Sequence, residues 1–276
     1  MDQHGLVQVT GVPLSDIGRK VGRIDRILVI DPNVATAKML ANLLRGIWPA
    51  AKVYGATEAG KGWALAAEVN PQLVFVEAGG EGFDGVKFAR DIRRSDLLCR
   101  EAPMIMVSSE VTTTLFTAAR NAGIHEFVRR PYTIGDLERR IEASCGRPRD
   151  WIEAIHYIGP DRRRFNSADF DGPKKRRSDG ASAASQRMNQ ALKIIQAAVL
   201  AVETDPVQCA RALTTQCRLL IELSAGQASY AGMAQAVLSL QSHLQSGQPL
   251  AKDRIGAYAA NVIKVAPEDI RPKAAA

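Results

Sequence analysis

The chain has 276 residues, of which 46% are hydrophobic and 24% charged, and its formal net charge is +7. That length suits two modest domains and a linker, and the composition is that of a globular protein. No uninterrupted apolar run approaches the ~20 residues of a membrane-crossing helix, and Cys99, Cys145, Cys209 and Cys217 lack metal-ligand spacing, which fits reduced thiols in a cytoplasmic protein.

Residues 1–24 have no signal-peptide core and read as a flexible leader. From Arg26, short apolar runs alternate with amphipathic stretches, the pattern of βα units around a parallel sheet. Ile27–Ile30 reads as a buried strand. Asn33–Arg45 follows as a helix with Ala37, Leu40, Ala41 and Leu44 on one face and Gly46 at its end. Lys52–Tyr54 is a weak second strand, after which Thr57 is expected to cap a helix running to about Val69. Leu73–Val76 is the third strand, closed by Glu77, and Gly85–Arg94 the third helix. Met104–Val107, Thr112–Ala122, Glu126–Val128 and Ile134–Cys145 continue the alternation of strand and helix. Five such units within residues 25–146 predict an α/β domain, a flavodoxin-like doubly wound five-stranded parallel sheet with its site at the carboxyl ends of the strands.

The residues at those strand ends carry a resemblance. Pro71–Glu77, followed by the turn around Phe83-Asp84-Gly85, resembles a two-component response-regulator receiver domain of the chemotaxis-receiver kind. Receivers place two acids after the first strand, a phosphorylatable aspartate after the third, a Thr or Ser after the fourth and a Lys-Pro pair after the fifth. Here the matching positions hold Asp31-Pro32, Glu77, Ser108 and Arg130-Pro131, with Phe127 where the family has its switch aromatic. The resemblance implies a pseudo-phosphorylation site of Glu77, Asp31, Ser108 and Arg130. It also implies a partner-facing surface on the fourth and fifth helices, with Phe127 and Pro131, for a histidine kinase, phosphotransferase or effector.

The departures from that pattern share a direction. Asp31 without a second neighbouring acid offers too few oxygen ligands for octahedral Mg²⁺, and phosphoryl transfer without the metal loses its main charge neutraliser. Arg130, planar and permanently charged, suits a bidentate grip on a carboxylate. We therefore expect a standing Glu77–Arg130 ion pair with Ser108 nearby, imitating part of the phosphorylated state. The alternatives are a decayed site whose pair is structural, or a receiver that accepts phosphate elsewhere, for instance at Asp84. No catalytic residue, metal or cofactor is expected.

Residues 147–186 change character, with Gly, Pro, Ser, Asp and Arg throughout. Residues 1–145 carry a net +1 and residues 188–276 a net +2, whereas residues 146–187 carry +4. The segment contains a repeat: Tyr157-Ile158-Gly159-Pro160-Asp161-Arg162-Arg163-Arg164 returns as Phe170-Asp171-Gly172-Pro173-Lys174-Lys175-Arg176-Arg177. It resembles a Gly-Pro-Asp-Arg-Arg tail carried by some bacterial receiver proteins. Arginines grip phosphates bidentately and a neighbouring ring can stack on a base. The anion-binding candidates are accordingly Tyr157, Arg162, Arg163, Arg164, Phe170, Lys174, Lys175, Arg176 and Arg177, with a cyclic dinucleotide, a nucleic-acid backbone or an acidic protein as ligand. The bland reading is a solvated basic linker.

Residues 187–268 read as a small all-α region, with helices at Met188–Glu203, from Asp205-Pro206 to about Ala225, at Ala228–Gln245 and at Ala251–Lys264, before a tail at 269–276. Its small, alanine-rich core suggests a homodimer. His243, in a run that resembles His-x-x-x-Gly, reads as a surface histidine. The function these features predict is non-enzymatic bacterial signal transduction by a pseudo-receiver independent of aspartate phosphorylation, or else an anionic-ligand effector acting through the arginine-rich linker.

Overall fold

Runs such as Leu73–Glu77 lack a polar face because both of their faces are covered. In the computed structural model, which describes residues 21–146, 149–162, 165 and 183–272, five strands form one all-parallel sheet. These are β1 (Arg26–Ile30), β2 (Lys52–Ala56), β3 (Leu73–Glu77), β6 (Met104–Ser108) and β7 (Glu126–Arg129), in the order β2-β1-β3-β6-β7. Two short strands, β4 (Gly79–Gly80) and β5 (Phe83–Asp84), pair as a separate antiparallel hairpin. The helices are α1 (Val34–Ile47), α2 (Ala59–Val69), α3 (Gly85–Arg94), α4 (Thr113–Asn121) and α5 (Ile134–Cys145).

Strand side chains alternate between faces, so each strand feeds two cores. Leu28, Ile30, Val74, Val76 and Met106 pack with Ala66 of α2, Phe88 and Ile92 of α3 and Ala119 of α4. Their neighbours Ile27, Val29, Phe75, Ile105 and Val107 pack with Leu40 and Leu44 of α1 and Leu137 and Ile141 of α5. Burying each such side chain contributes about 1.5–3 kcal/mol.

Two helix ends depart from expectation. α1 runs through Gly46 to Ile47, because Ile47 and Trp48 are buried in the sheet core and that burial outweighs the glycine stop. α2 begins after Glu58, whose side chain makes no capping bond, so Thr57 is not the cap that its residue type suggested. Asn33, Asp84, Thr112 and Thr133 cap α1, α3, α4 and α5 through their side chains.

A charged cluster is buried near the amino end of β6. Arg93, 1% exposed, donates to Gly123 O at 3.0 Å and Ala102 O at 2.9 Å. His125 Nδ1 accepts from Met104 N at 3.2 Å, which requires that nitrogen to be unprotonated. Burial, reinforced by the charges of Arg93 and Arg149, holds the imidazole well below its usual pKa. The buried carboxylate of Glu126 is paired with Arg149 and, at 3.3 Å, with Arg140.

The chain divides into two compact units, residues 1–150 with 159–170, and residues 151–158 with 171–276. The second contains α6 (Ala183–Leu200), α7 (Pro206–Ser224), α8 (Ala231–Gln245) and α9 (Lys252–Val265) around a core that includes Leu192, Ile195, Leu213, Leu220, Met233, Val237, Leu240, Ile255 and Val262. Asp205 caps α7 ahead of Pro206, as expected. Part of the segment read as a linker is ordered: β8 (Trp151–Glu153) and β9 (Ile158–Pro160) pair as a two-stranded sheet. Two buried glutamines of α7 hold the first of these strands. Gln208 Nε2 donates to Glu153 Oε1 at 2.9 Å and to Ala154 O at 3.1 Å, and Gln216 Nε2 donates to Glu153 O at 3.0 Å.

Candidate functional site

Parallel strands that end level deliver their next residues to one edge. Main-chain bonds extend the ladder there, from Asp31 N to Ala56 O at 3.0 Å, Ala78 N to Val107 O at 2.8 Å and Arg130 N to Ser108 O at 2.8 Å. Asp31, Glu77, Ser108 and Arg130 therefore stand together at the carboxyl ends of β1, β3, β6 and β7, and all but the partly exposed Arg130 are buried.

The Arg130 guanidinium spans two carboxylates. Nη2 donates to Asp31 Oδ2 at 2.7 Å, and Nη1 donates to Glu77 Oε2. Asp31 is also held from below, its Oδ1 accepting from Asn33 N at 2.9 Å and its Oδ2 from Thr36 Oγ1 at 2.6 Å. Burial pushes the Glu77 carboxyl above its ordinary value; Arg130 opposes that rise and Asp31 adds to it. Burial works against the charge on Arg130, but Glu77 and Asp31 outweigh it and raise the guanidinium's pKa. Arg130 Nε and the Tyr132 hydroxyl are buried beside one another here, and among the described residues neither makes a well-formed hydrogen bond. Ser108 Oγ accepts from Glu110 N at 3.1 Å, so the hydroxyl also braces the loop after β6. The peptide between Arg130 and Pro131 is cis.

Steric fit closes the rest of the edge. The ring of Pro32 packs on Gly80 of the β4–β5 hairpin, where a Cβ would lie 2.9 Å from Pro32 Cγ. At Gly85 a Cβ would sit 1.8 Å from Glu77 O, so only glycine lets α3 start this close to β3. Asp84, the other acid weighed as an acceptor, accepts from Lys87 N at 2.8 Å as the α3 cap. These residues do not fit a Mg²⁺ ion: Asp31 is committed to three donors, Pro32 has no carboxylate, and Arg130 sets a fixed positive charge against both carboxylates of the edge.

Phe127 points inward, 3% exposed, with its ring 6.0 Å from that of Phe116 on α4. Phe116 in turn meets Phe165 edge-on at 4.7 Å, and Arg162 Nη1 donates to Asn121 Oδ1 at 3.0 Å. The α4 face expected to lie open to partners is thus partly covered by the chain's own Arg162 and Phe165, a contact that no periodicity or motif signalled. Tyr157 is 7% exposed, which removes it as a stacking platform for a base. Gly159 has φ +151° and Pro160 is buried in β9, so the Gly-Pro of the first repeat copy has a structural task. Arg163, Arg164, Phe170, Lys174, Lys175, Arg176 and Arg177 lie outside the described residues. Sequence reasoning also missed Thr36, five residues from the Asp31 it holds, the close approach of Gly85 to Glu77 O, and Tyr132 beside Arg130.

The response regulator receiver domain family matches residues 27–142. The chain is 26% identical over 121 residues to the KDP operon transcriptional regulatory protein KdpE of Escherichia coli (strain K12), covering 44% of this chain and 51% of that protein. It is 26% identical over 134 residues to the DNA-binding response regulator MtrA of Mycolicibacterium smegmatis, covering 49% and 56%. The chain thus spans about half the length of the curated relatives it matches. Among solved structures it is similar to the signal receiver domain of a DNA binding response regulator from Colwellia psychrerythraea 34H, at 22% identity over 43% of this chain and 95% of that one, with a TM-score of 0.40.

Proposed function

We propose that residues 27–142, a response-regulator receiver domain, act in signal transduction as a pseudo-receiver that recognises a signalling partner without being phosphorylated on Glu77. The observation that carries this reading is the single guanidinium of Arg130 bridging Asp31 and Glu77. It commits to a permanent side-chain charge the two carboxylates that metal binding and phosphoryl transfer would need. To accept phosphate, Glu77 would have to give up its arginine, and breaking a buried pair by losing one partner costs about 3–5 kcal/mol. A histidine kinase, a phosphotransferase or a downstream effector would meet the α4–β7–α5 side, where Phe165 competes with it for Phe116.

The test is a ¹⁵N-resolved titration of the full chain with beryllofluoride and Mg²⁺. The expected result is no saturable shift in β3, β7 or α4. A Mg²⁺-dependent shift that saturates would overturn the reading. A variant combining Pro32→Asp, Glu77→Asp and Arg130→Lys is expected to gain the response, since it supplies the missing oxygen ligand and frees the acceptor.

A further inference from the structure

The helical unit contains a groove of about 940 Å³ between α8 and α9 that the receiver reading leaves unused. Such a volume lies in the range of small-molecule sites. Leu238, Ser242 and His243 come from α8, and Arg254, Tyr258 and Asn261 from α9. Hydroxyl, amide and guanidinium donors dominate the wall, and neither aspartate nor glutamate lines it.

Three observations set the chemistry of an occupant. The Arg254 guanidinium donates to Gln248 Oε1 and pairs with no carboxylate among the described residues, so its charge is available to an anion. His243 is 7% exposed, and among the described residues its Nε2 has no hydrogen-bond partner, so this polar atom at the groove wall keeps a bond to make. The His243 ring lies parallel to that of Tyr258, with centroids 5.1 Å apart and planes 24° apart, and Leu238, 45% exposed, adds an apolar surface. Stacked rings beside a wet apolar side chain favour a planar guest.

We propose that this groove binds a small organic anion, an aromatic ring carrying a carboxylate or phosphate. Its oxyanion pairs with Arg254 and the nearby hydroxyl and amide donors, and its ring packs on Tyr258 and Leu238. The proposal rests on the helical unit alone and stands whether or not the receiver is phosphorylated.

The full chain, with ¹⁵N-labelled histidine, is titrated with phenyl phosphate and with benzoate, and in parallel with inorganic phosphate and benzyl alcohol, each of which carries one half of the recognised chemistry. Saturable binding of either aromatic anion that shifts the His243 imidazole nitrogens is expected, at least tenfold tighter than either half-ligand. Arg254→Gln, on an exposed helix turn, is expected to weaken it tenfold or more with unchanged circular dichroism. The idea is overturned if neither aromatic anion saturates, if Arg254→Gln binds as well as the parent, or if the His243 resonances do not move.

Discussion

Arg130 is held by two carboxylates that would repel one another without it. Arg130→Ala would leave Asp31 and Glu77 buried with an uncompensated charge, and a loss of about 3–5 kcal/mol is expected. Denaturant unfolding measures it, and the double variant Arg130→Ala/Glu77→Gln should recover part of the loss because one of the two carboxylates is then gone. His125 sets a separate pH limit. Its folded pKa lies well below its ordinary value of 6.5 while the unfolded chain's does not, so below about pH 6.5 the unfolded state binds a proton that the folded state refuses. The stability associated with His125 is complete above that pH and falls as the pH drops, by up to about 1.4 kcal/mol per pH unit for this one group. Melting temperature measured between pH 7.5 and 5 should decline along that slope, and less steeply in His125→Gln.

At the scale of elements, α4 is the helix whose surroundings differ most from expectation. Leu115 and Phe116 face a cluster that Phe165 completes, so Phe165, in a turn closed by its N–H donating to Arg162 O, shields the helix. Phe165→Ala removes an aromatic contact worth about 0.5–1.5 kcal/mol beyond its buried area. The expected outcome is faster amide hydrogen exchange along α4 with little change in β1 and β3, which sit deep in the sheet. Unchanged exchange in α4 would mean that the turn does not cover the helix in solution. If the partner-binding reading is right, the same variant should bind its partner more tightly, because the competitor for Phe116 is gone.

At the scale of the molecule, the two units have separate cores with no buried residue in common. Separate cores of this size support separate cooperative transitions, and unfolding is expected to depart from a single two-state curve. The thiols report which unit opens. Cys209 and Cys217 are buried in the helical unit, and burial pushes their pKa values up to about 11 and about 12, so they react slowly while it is folded. Their modification should follow loss of the helical signal rather than loss of the sheet, which cysteine labelling analysed by mass spectrometry can resolve.

The amino-acid sequence by itself determined the order of the five sheet strands and five helices in residues 26–145, though not the short β4–β5 hairpin between them. It also determined which residues stand at the strand ends and which acid and proline start α7. These features are local: a strand buried on both faces must be a short continuous apolar run, a helix must repeat its apolar residues at 3.6, and a cap is read from one or two residues. The expected partner of Glu77 was legible too, because strand ends in a parallel sheet share an edge. Tertiary structure alone decided that one guanidinium would hold both Glu77 and Asp31, the latter 99 residues away, that Gly85 must lack a Cβ, and that Phe165 would lie on α4. It also decided that residues 151–158 join the helices, through glutamines of α7 more than 50 residues further on. Each depends on distances between groups on different elements, most of them remote in the chain, and no periodicity encodes those distances; packing of the assembled elements sets them.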